Sequence, residues 1–171
     1  MRIYLIGYMA SGKSGLGREL AEALGYGFTD TDDLFEERYR ISINDFFGKY
    51  GEEVFRRLEK DILQETIQLN NAVIATGGGT PCFFDNMEVI RRAGLVIYLE
   101  MDAANLAGRL SQVRRKRPLL KDIPPAELPG KVEAQLAERD PIYRRADIII
   151  SADRPDLVKL VSAIRSRVGN R

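Results

Sequence analysis

The chain contains no histidine and a single cysteine, Cys82, among its 171 residues. Without imidazole there is no His-based acid/base catalysis and no His metal site, so any chemistry falls to carboxylates, Lys and Arg. One cysteine excludes an intrachain disulfide, and a reducing compartment, the cytoplasm, is the expected location. No apolar run is long enough to span a bilayer, so no membrane association is expected. The N-terminus, Met1-Arg2-Ile3-Tyr4-Leu5-Ile6, enters a strand pattern directly and lacks the long apolar region and cleavage site of a signal peptide. Charge of one sign is not in excess either: 26 Lys+Arg against 25 Asp+Glu leave a formal charge of +1. No global field draws in nucleic acid. Anion binding has to be local.

What is present is an alternation of short apolar runs with longer amphipathic stretches in a length suited to one domain, residues 1–171. Strands are predicted at Arg2–Ile6, Gly27–Asp30, Ala72–Ala75, Leu95–Glu100 and Asp147–Ser151. Helices are predicted at Lys13–Leu24, Leu34–Tyr39, Glu52–Asn70, Asp85–Ala93, Ala103–Leu110, Lys131–Glu138 and Pro155–Val168, the last with Asp153 as a cap and Pro155 in its first turn. Strands apolar on both faces and separated by helices imply an α/β fold with a parallel sheet covered on both sides. Ile41–Gly51 adds helical material that suggests a small subdomain. Val113–Gly130, rich in Arg, Lys and Pro without apolar period, has the length of a functional lid.

Gly7-Tyr8-Met9-Ala10-Ser11-Gly12-Lys13-Ser14 fits G-x-x-x-x-G-K-[ST] and has the required context, after a strand and opening a helix. Unpaired N–H groups at the helix start and the helix dipole favour a phosphate there. Lys13 supplies a point charge between the β- and γ-phosphates of ATP, and the Ser14 hydroxyl is a ligand for Mg²⁺. The segment is read as a P-loop.

Later motifs are weak singly and specific in their order: Asp30-Thr31-Asp32, Phe55-Arg56-Arg57-Leu58-Glu59, Gly77-Gly78-Gly79, Arg117-Pro118-Leu119-Leu120 and Tyr143-Arg144. With the P-loop they resemble the shikimate kinase family almost end to end. The resemblance implies a three-layer P-loop kinase fold, related to nucleoside-monophosphate kinases, with a five-stranded parallel sheet. It further implies a substrate-binding subdomain (31–60), a closing lid (112–125), and MgATP-dependent phosphorylation of the shikimate 3-hydroxyl toward the aromatic amino acids. Two P-loop positions depart from the family. Ala10 stands where Gly is usual and is expected at φ < 0. Gly15 stands where Thr or Ser is common.

The residues read as follows. Asp33, with Glu36 three residues on, has capping-box spacing, which leaves Asp30 and Asp32 on one side of an extended segment. By resemblance Asp32 binds the reacting hydroxyl and serves as base, while Asp30 reaches Mg²⁺ through water. Arg57 pairs with Glu53 on a solvated face. Arg56 and Arg144 resemble the family's substrate-carboxylate arginines, a task suited to a guanidinium fork. The three consecutive glycines, Gly77, Gly78 and Gly79, suggest a close backbone–ligand approach. Phe47 and Phe55 are candidates for pocket wall or for core. In Arg114-Arg115-Lys116-Arg117, near-neutral total charge and missing aromatics argue against nucleic acid; Arg117 is assigned to phosphate and substrate at lid closure. Arg109 and Arg154 resemble adenine-contacting positions. The expected nucleotide set is Gly7, Ala10, Ser11, Gly12, Lys13, Ser14, Gly15, Arg109, Arg117 and Arg154, with Lys13, Asp32 and Arg117 catalytic. A monomer is expected. The rival readings are another small-metabolite kinase such as a gluconate kinase, a nucleotide switch protein (though no Asn-Lys-x-Asp motif is present), and a catalytically silent homologue.

Overall fold

The computed structural model describes residues 1–113 and 123–169. Five strands, β1 (Arg2–Ile6), β2 (Gly27–Asp30), β3 (Ala72–Ala75), β4 (Leu95–Glu100) and β5 (Ile148–Ser151), form one parallel sheet in the order β2-β3-β1-β4-β5. The three inner strands are buried almost throughout, while the edges β2 and β5 are partly open. That contrast follows from position: only inner strands have both faces and both edges covered.

Around the sheet run α1 (Lys13–Leu24), α2 (Thr31–Tyr39), α3 (Ile43–Tyr50), α4 (Glu52–Glu65), α5 (Asn86–Ala93), α6 (Ala103–Val113), α7 (Leu128–Tyr143) and α8 (Leu157–Gly169). The chain leaves central β1 with β3 on one side and β4 on the other. The crevice beyond the carboxyl end of β1 is therefore a topological switch point, where doubly wound sheets bind ligands. Gly7–Ser14 sits there.

A second, smaller core lies apart from the sheet, built from Phe35, Phe46, Phe55 and Ile62 of α2, α3 and α4. Phe35 and Phe46 meet edge-to-face with ring centroids 5.0 Å apart, the arrangement the ring quadrupole favours. Phe55 belongs to this core, and Phe47 packs on it half-buried. This cluster anchors α4, and with it Arg56. Truncating Phe55 to Ala costs about 3–5 kcal/mol, enough to loosen the helix that carries the arginine.

Several boundaries differ from expectation; α4, for one, ends at Glu65 and passes into a short 3-10 turn rather than running on to Asn70. Helix α2 begins at Thr31, with Asp30 as its cap, accepting from the Asp32 N–H at 2.9 Å. Asp33 is not the cap, and Glu36 instead accepts from the Ile43 N–H, tying α2 to the start of α3. Helix α8 begins after Asp156, whose carboxylate accepts from the Lys159 N–H, so Asp153 and Pro155 precede it. Helix α7 runs five residues past Glu138 and contains Pro141.

Candidate active site

Gly7 has φ 141°, and a Cβ there would lie 2.7 Å from the Leu99 carbonyl, so the loop leaves β1 by a route open only to glycine. Gly12, at φ 96°, is the left-handed residue from which α1 starts, without a side-chain cap. The first N–H groups of α1 are thus presented to an anion rather than to a cap. Ala10 also has positive φ, 64°, which corrects the expectation of φ < 0. The loop keeps the turn that glycine would make, and the methyl is tolerated at about 1–2 kcal/mol of backbone strain. Lys13 is buried and its ammonium donates to the Gly7 and Tyr8 carbonyls, each at 2.8 Å, which curls the charge over the loop. Ser11 is buried as well, and Gly15 faces open space on α1. Arg109 reaches across from α6 to donate to the Ala10 carbonyl at 3.3 Å. Arg154 is exposed beside Ile148, Ile150 and Pro155 at edge strand β5.

The Ser14 hydroxyl donates to Asp30 Oδ2 at 2.5 Å, so the P-loop and the end of β2 are joined by two hard oxygen groups. Asp32 lies in the first turn of α2, not on an extended segment, because the helix starts one residue before it. Its carboxylate turns toward the glycine run: a Cβ on Gly77 would come within 2.9 Å of Asp32 Oδ1.

The same test explains the other glycines. A Cβ on Gly78 would meet the Met9 backbone nitrogen at 2.8 Å, and one on Gly79 would meet the Arg56 guanidinium at 2.6 Å. At Gly78 the obstacle is the Met9 backbone, whereas at Gly77 and Gly79 it is the Asp32, Glu59 and Arg56 side chains, which a methyl would push aside. Arg56 is buried, paired with Glu59 at 2.9 Å and Glu52 at 3.2 Å. Arg57, in contrast, is exposed and paired with Glu53.

Arg144 is not part of this assembly. It is exposed and bonded to Glu100 and Asp140, on the far side of the end of α7. The buried arginine of α7 is Arg139, whose guanidinium lies 5.6 Å from the centre of the Tyr8 ring. Its Nη1 has no hydrogen-bond partner among the described residues. Arg139 and Tyr143 are one turn apart on one helix face, and the Tyr143 hydroxyl donates to the Gly78 carbonyl. Five residues further along a helix turn the side chain by about 140°, which is why Arg144 points elsewhere. The half-buried Cys82 thiol is pushed up by burial, against the opposing pull of Arg139, a hydrogen bond with Tyr143 and the pull of Arg56. Burial likewise pushes the Tyr143 and Tyr8 phenols up, so both remain neutral hydrogen-bonding groups. Arg139 was legible only within the run Glu138-Arg139-Asp140-Pro141-Ile142-Tyr143, whose i, i+4 pair of Arg139 and Tyr143 announces one face without saying what it faces. Arg117 and most of the expected lid, 112–125, lie outside the described residues.

One face of the crevice therefore carries a phosphate cradle, and the other carries a carboxylate, two buried guanidinium groups and bare backbone. The shikimate kinase family model matches residues 9–168. The shikimate kinase of Azobacteroides pseudotrichonymphae is 47% identical, the match covering 86% of this chain and 88% of the relative. That of Sulfurihydrogenibium sp. is 36% identical across 99% of this chain and 98% of its own. The crystal structure of shikimate kinase from Bacteroides thetaiotaomicron superposes with a TM-score of 0.89 at 35% identity, covering 99% of this chain and 98% of that one. The Acinetobacter baumannii enzyme, solved in complex with shikimate, gives 0.84 at 33%, covering 99% and 93%. A gluconokinase from Sinorhizobium meliloti, 19% identical with a TM-score of 0.57, shares the fold alone. With the family model matching residues 9–168 and relatives 36–47% identical over most of its length, the chain belongs to the shikimate kinase family.

Proposed function

We infer that this enzyme transfers the γ-phosphoryl group of ATP to the 3-hydroxyl of shikimate, giving 3-phosphoshikimate and ADP on the way to the aromatic amino acids. The observation that carries the substrate assignment is the meeting of Asp32 and Arg56 with the Gly77–Gly79 backbone, with Arg139 beside Tyr8 of the P-loop and one turn from Tyr143, which bonds Gly78.

Arg56 and Arg139 hold the shikimate carboxylate, and Gly78 and Gly79 let the ring approach the backbone. This replaces Arg144 with Arg139 in the carboxylate clamp. Asp32 accepts a hydrogen bond from the 3-hydroxyl, aims its oxygen at the γ-phosphorus and takes its proton as the new O–P bond forms and the β–γ bridge breaks. Lys13 and the amides of Gly12 to Ser14 hold the phosphates in line, and Arg117 meets the charge that spreads over the transferred group. Residues 112–125 act as the lid that excludes water. Arg109 flanks the nucleotide from α6, and Arg154 forms the outer border of the base site.

Ser14 and Asp30 suit Mg²⁺, which takes oxygen ligands, retains water and is commonly held by one or two protein groups plus phosphates. Bound there, the ion neutralises phosphate charge. The reading includes a monomer working in the cytoplasm, where Cys82 stays a free thiol. No helix among the described residues is long and apolar enough to cross a membrane.

A coupled ADP-release assay across a panel of hydroxy acids tests the assignment. Shikimate at millimolar concentration is expected to stimulate release. Silence with shikimate and turnover with another acid, gluconate included, reverses it.

A further inference from the structure

A guanidinium grips a carboxylate with two parallel bonds only while its plane is held. Arg56 sits on a long flexible stem, so something must hold that plane. Its helix neighbour Glu52 is more than half exposed and makes 3.2 Å contacts, a weak restraint. Glu59 is the firm one, 4% exposed, and its two oxygens are divided between two partners. Oε2 accepts from Arg56 Nη1 at 2.9 Å, and Oε1 accepts from the Thr80 hydroxyl at 2.5 Å.

Thr80 follows the glycine run, is fully buried, and is itself pinned. Its carbonyl accepts from Asn86 Nδ2 at 2.8 Å and its N–H donates to the Gly77 carbonyl at 3.2 Å. A Cβ on Gly77 would lie 2.8 Å from both Glu59 Oε1 and Thr80 Oγ1, so this bond is packed directly under the loop. Three residues on, the Phe83 ring centre lies 4.1 Å from Arg56 Cζ, nearer than Phe55 at 5.2 Å or Phe47 at 5.8 Å.

We propose that Thr80 and Phe83 are positioning residues for the acceptor carboxylate: Thr80 sets the edge of the Arg56 guanidinium through Glu59, and Phe83 sets its face. The proposal rests on Arg56 being an arm of the carboxylate clamp. Removing the Thr80 hydroxyl leaves Glu59 Oε1 buried without that donor. A carboxylate so exposed to desolvation turns both oxygens toward the nearest cation, which draws Arg56 off the substrate. Removing the Phe83 ring leaves the guanidinium plane free to tilt.

The test compares kcat/KM for shikimate with kcat/KM for its methyl ester, which presents no carboxylate charge, in wild type, Arg56→Ala, Thr80→Val, Thr80→Ser and Phe83→Leu. Arg56→Ala is expected to abolish most of the preference for the acid. Thr80→Val and Phe83→Leu are each expected to lower that preference about tenfold, the scale of one charge-assisted hydrogen bond, with KM for ATP within about twofold. Thr80→Ser restores it. A general packing defect would depress both substrates alike and leave the ratio unmoved. Wild-type ratios in Thr80→Val and Phe83→Leu, with a lowered ratio in Arg56→Ala, overturn the proposal alone. A wild-type ratio in Arg56→Ala overturns the clamp itself. If Thr80→Val does not fold, the Phe83→Leu ratio decides in the same way.

Discussion

The nucleotide side and the acceptor side of the crevice are built on different plans. Gly7–Ser14 is one unbroken stretch whose ligands are mostly backbone amides, placed by strand, turn and helix start. The acceptor side gathers Asp32 from α2, Arg56 from α4, three glycines after β3 and Arg139 from α7. A contiguous backbone site tolerates a change such as Ala10 at φ 64°, because amides point the same way whatever the side chain. A site of converging side chains depends on each helix face being right.

That difference is open to attack at several strengths. The largest effect belongs to Lys13→Ala, expected to lower kcat by about 10³-fold or more while shikimate binding, followed by calorimetry, stays close to wild type. Next comes Asp32→Asn, which keeps the shape and removes the charge. Its kcat is expected to fall by about 10²- to 10⁴-fold, and steady-state turnover near wild type would deny Asp32 its role as base. Gly79→Ala acts on the acceptor side alone, since its methyl would sit 2.6 Å from the Arg56 guanidinium. The KM for shikimate is expected to rise about tenfold, or about 1.4 kcal/mol, with the KM for ATP little changed.

Smaller effects concern the scaffold. Gly15 faces nothing within 4 Å, so Gly15→Ala should stabilise α1 by about 1 kcal/mol and raise Tm by about 2–4 °C in calorimetry. Burial pushes the Cys82 thiol up, with Arg139 opposing. The folded state therefore keeps this proton more tightly than the unfolded chain. The stability this contributes is present below the ordinary thiol range, near about pH 8.5, and is lost as pH rises through the higher folded value. Alkylation at pH 8 is expected to run slower than for a free cysteine.

The sheet was legible because its strands are short apolar runs bounded by helices: four of the five match their predicted bounds, and β5 starts one residue later. The P-loop was legible because its spacing falls where a strand pattern gives way to a helix. Helix starts were harder, since Asp30, Asp32 and Asp33 are all competent caps and only the backbone path chooses Asp30. The choice between Arg139 and Arg144 was not legible, because the apolar period of α7 is too weak to orient its faces and Pro141 suggests an earlier stop. Thr80 gave no signal at all, being one hydroxyl whose partner Glu59 lies in another element.

Whether the acceptor site uses Arg139 and not Arg144 is tested most directly by kcat/KM for shikimate in Arg139→Ala beside Arg144→Ala. A loss of about 10²-fold or more is expected in Arg139→Ala, the scale of a bidentate charged contact, and a change within about twofold in Arg144→Ala, an exposed ion pair. A large loss in Arg144→Ala with Arg139→Ala near wild type would contradict it.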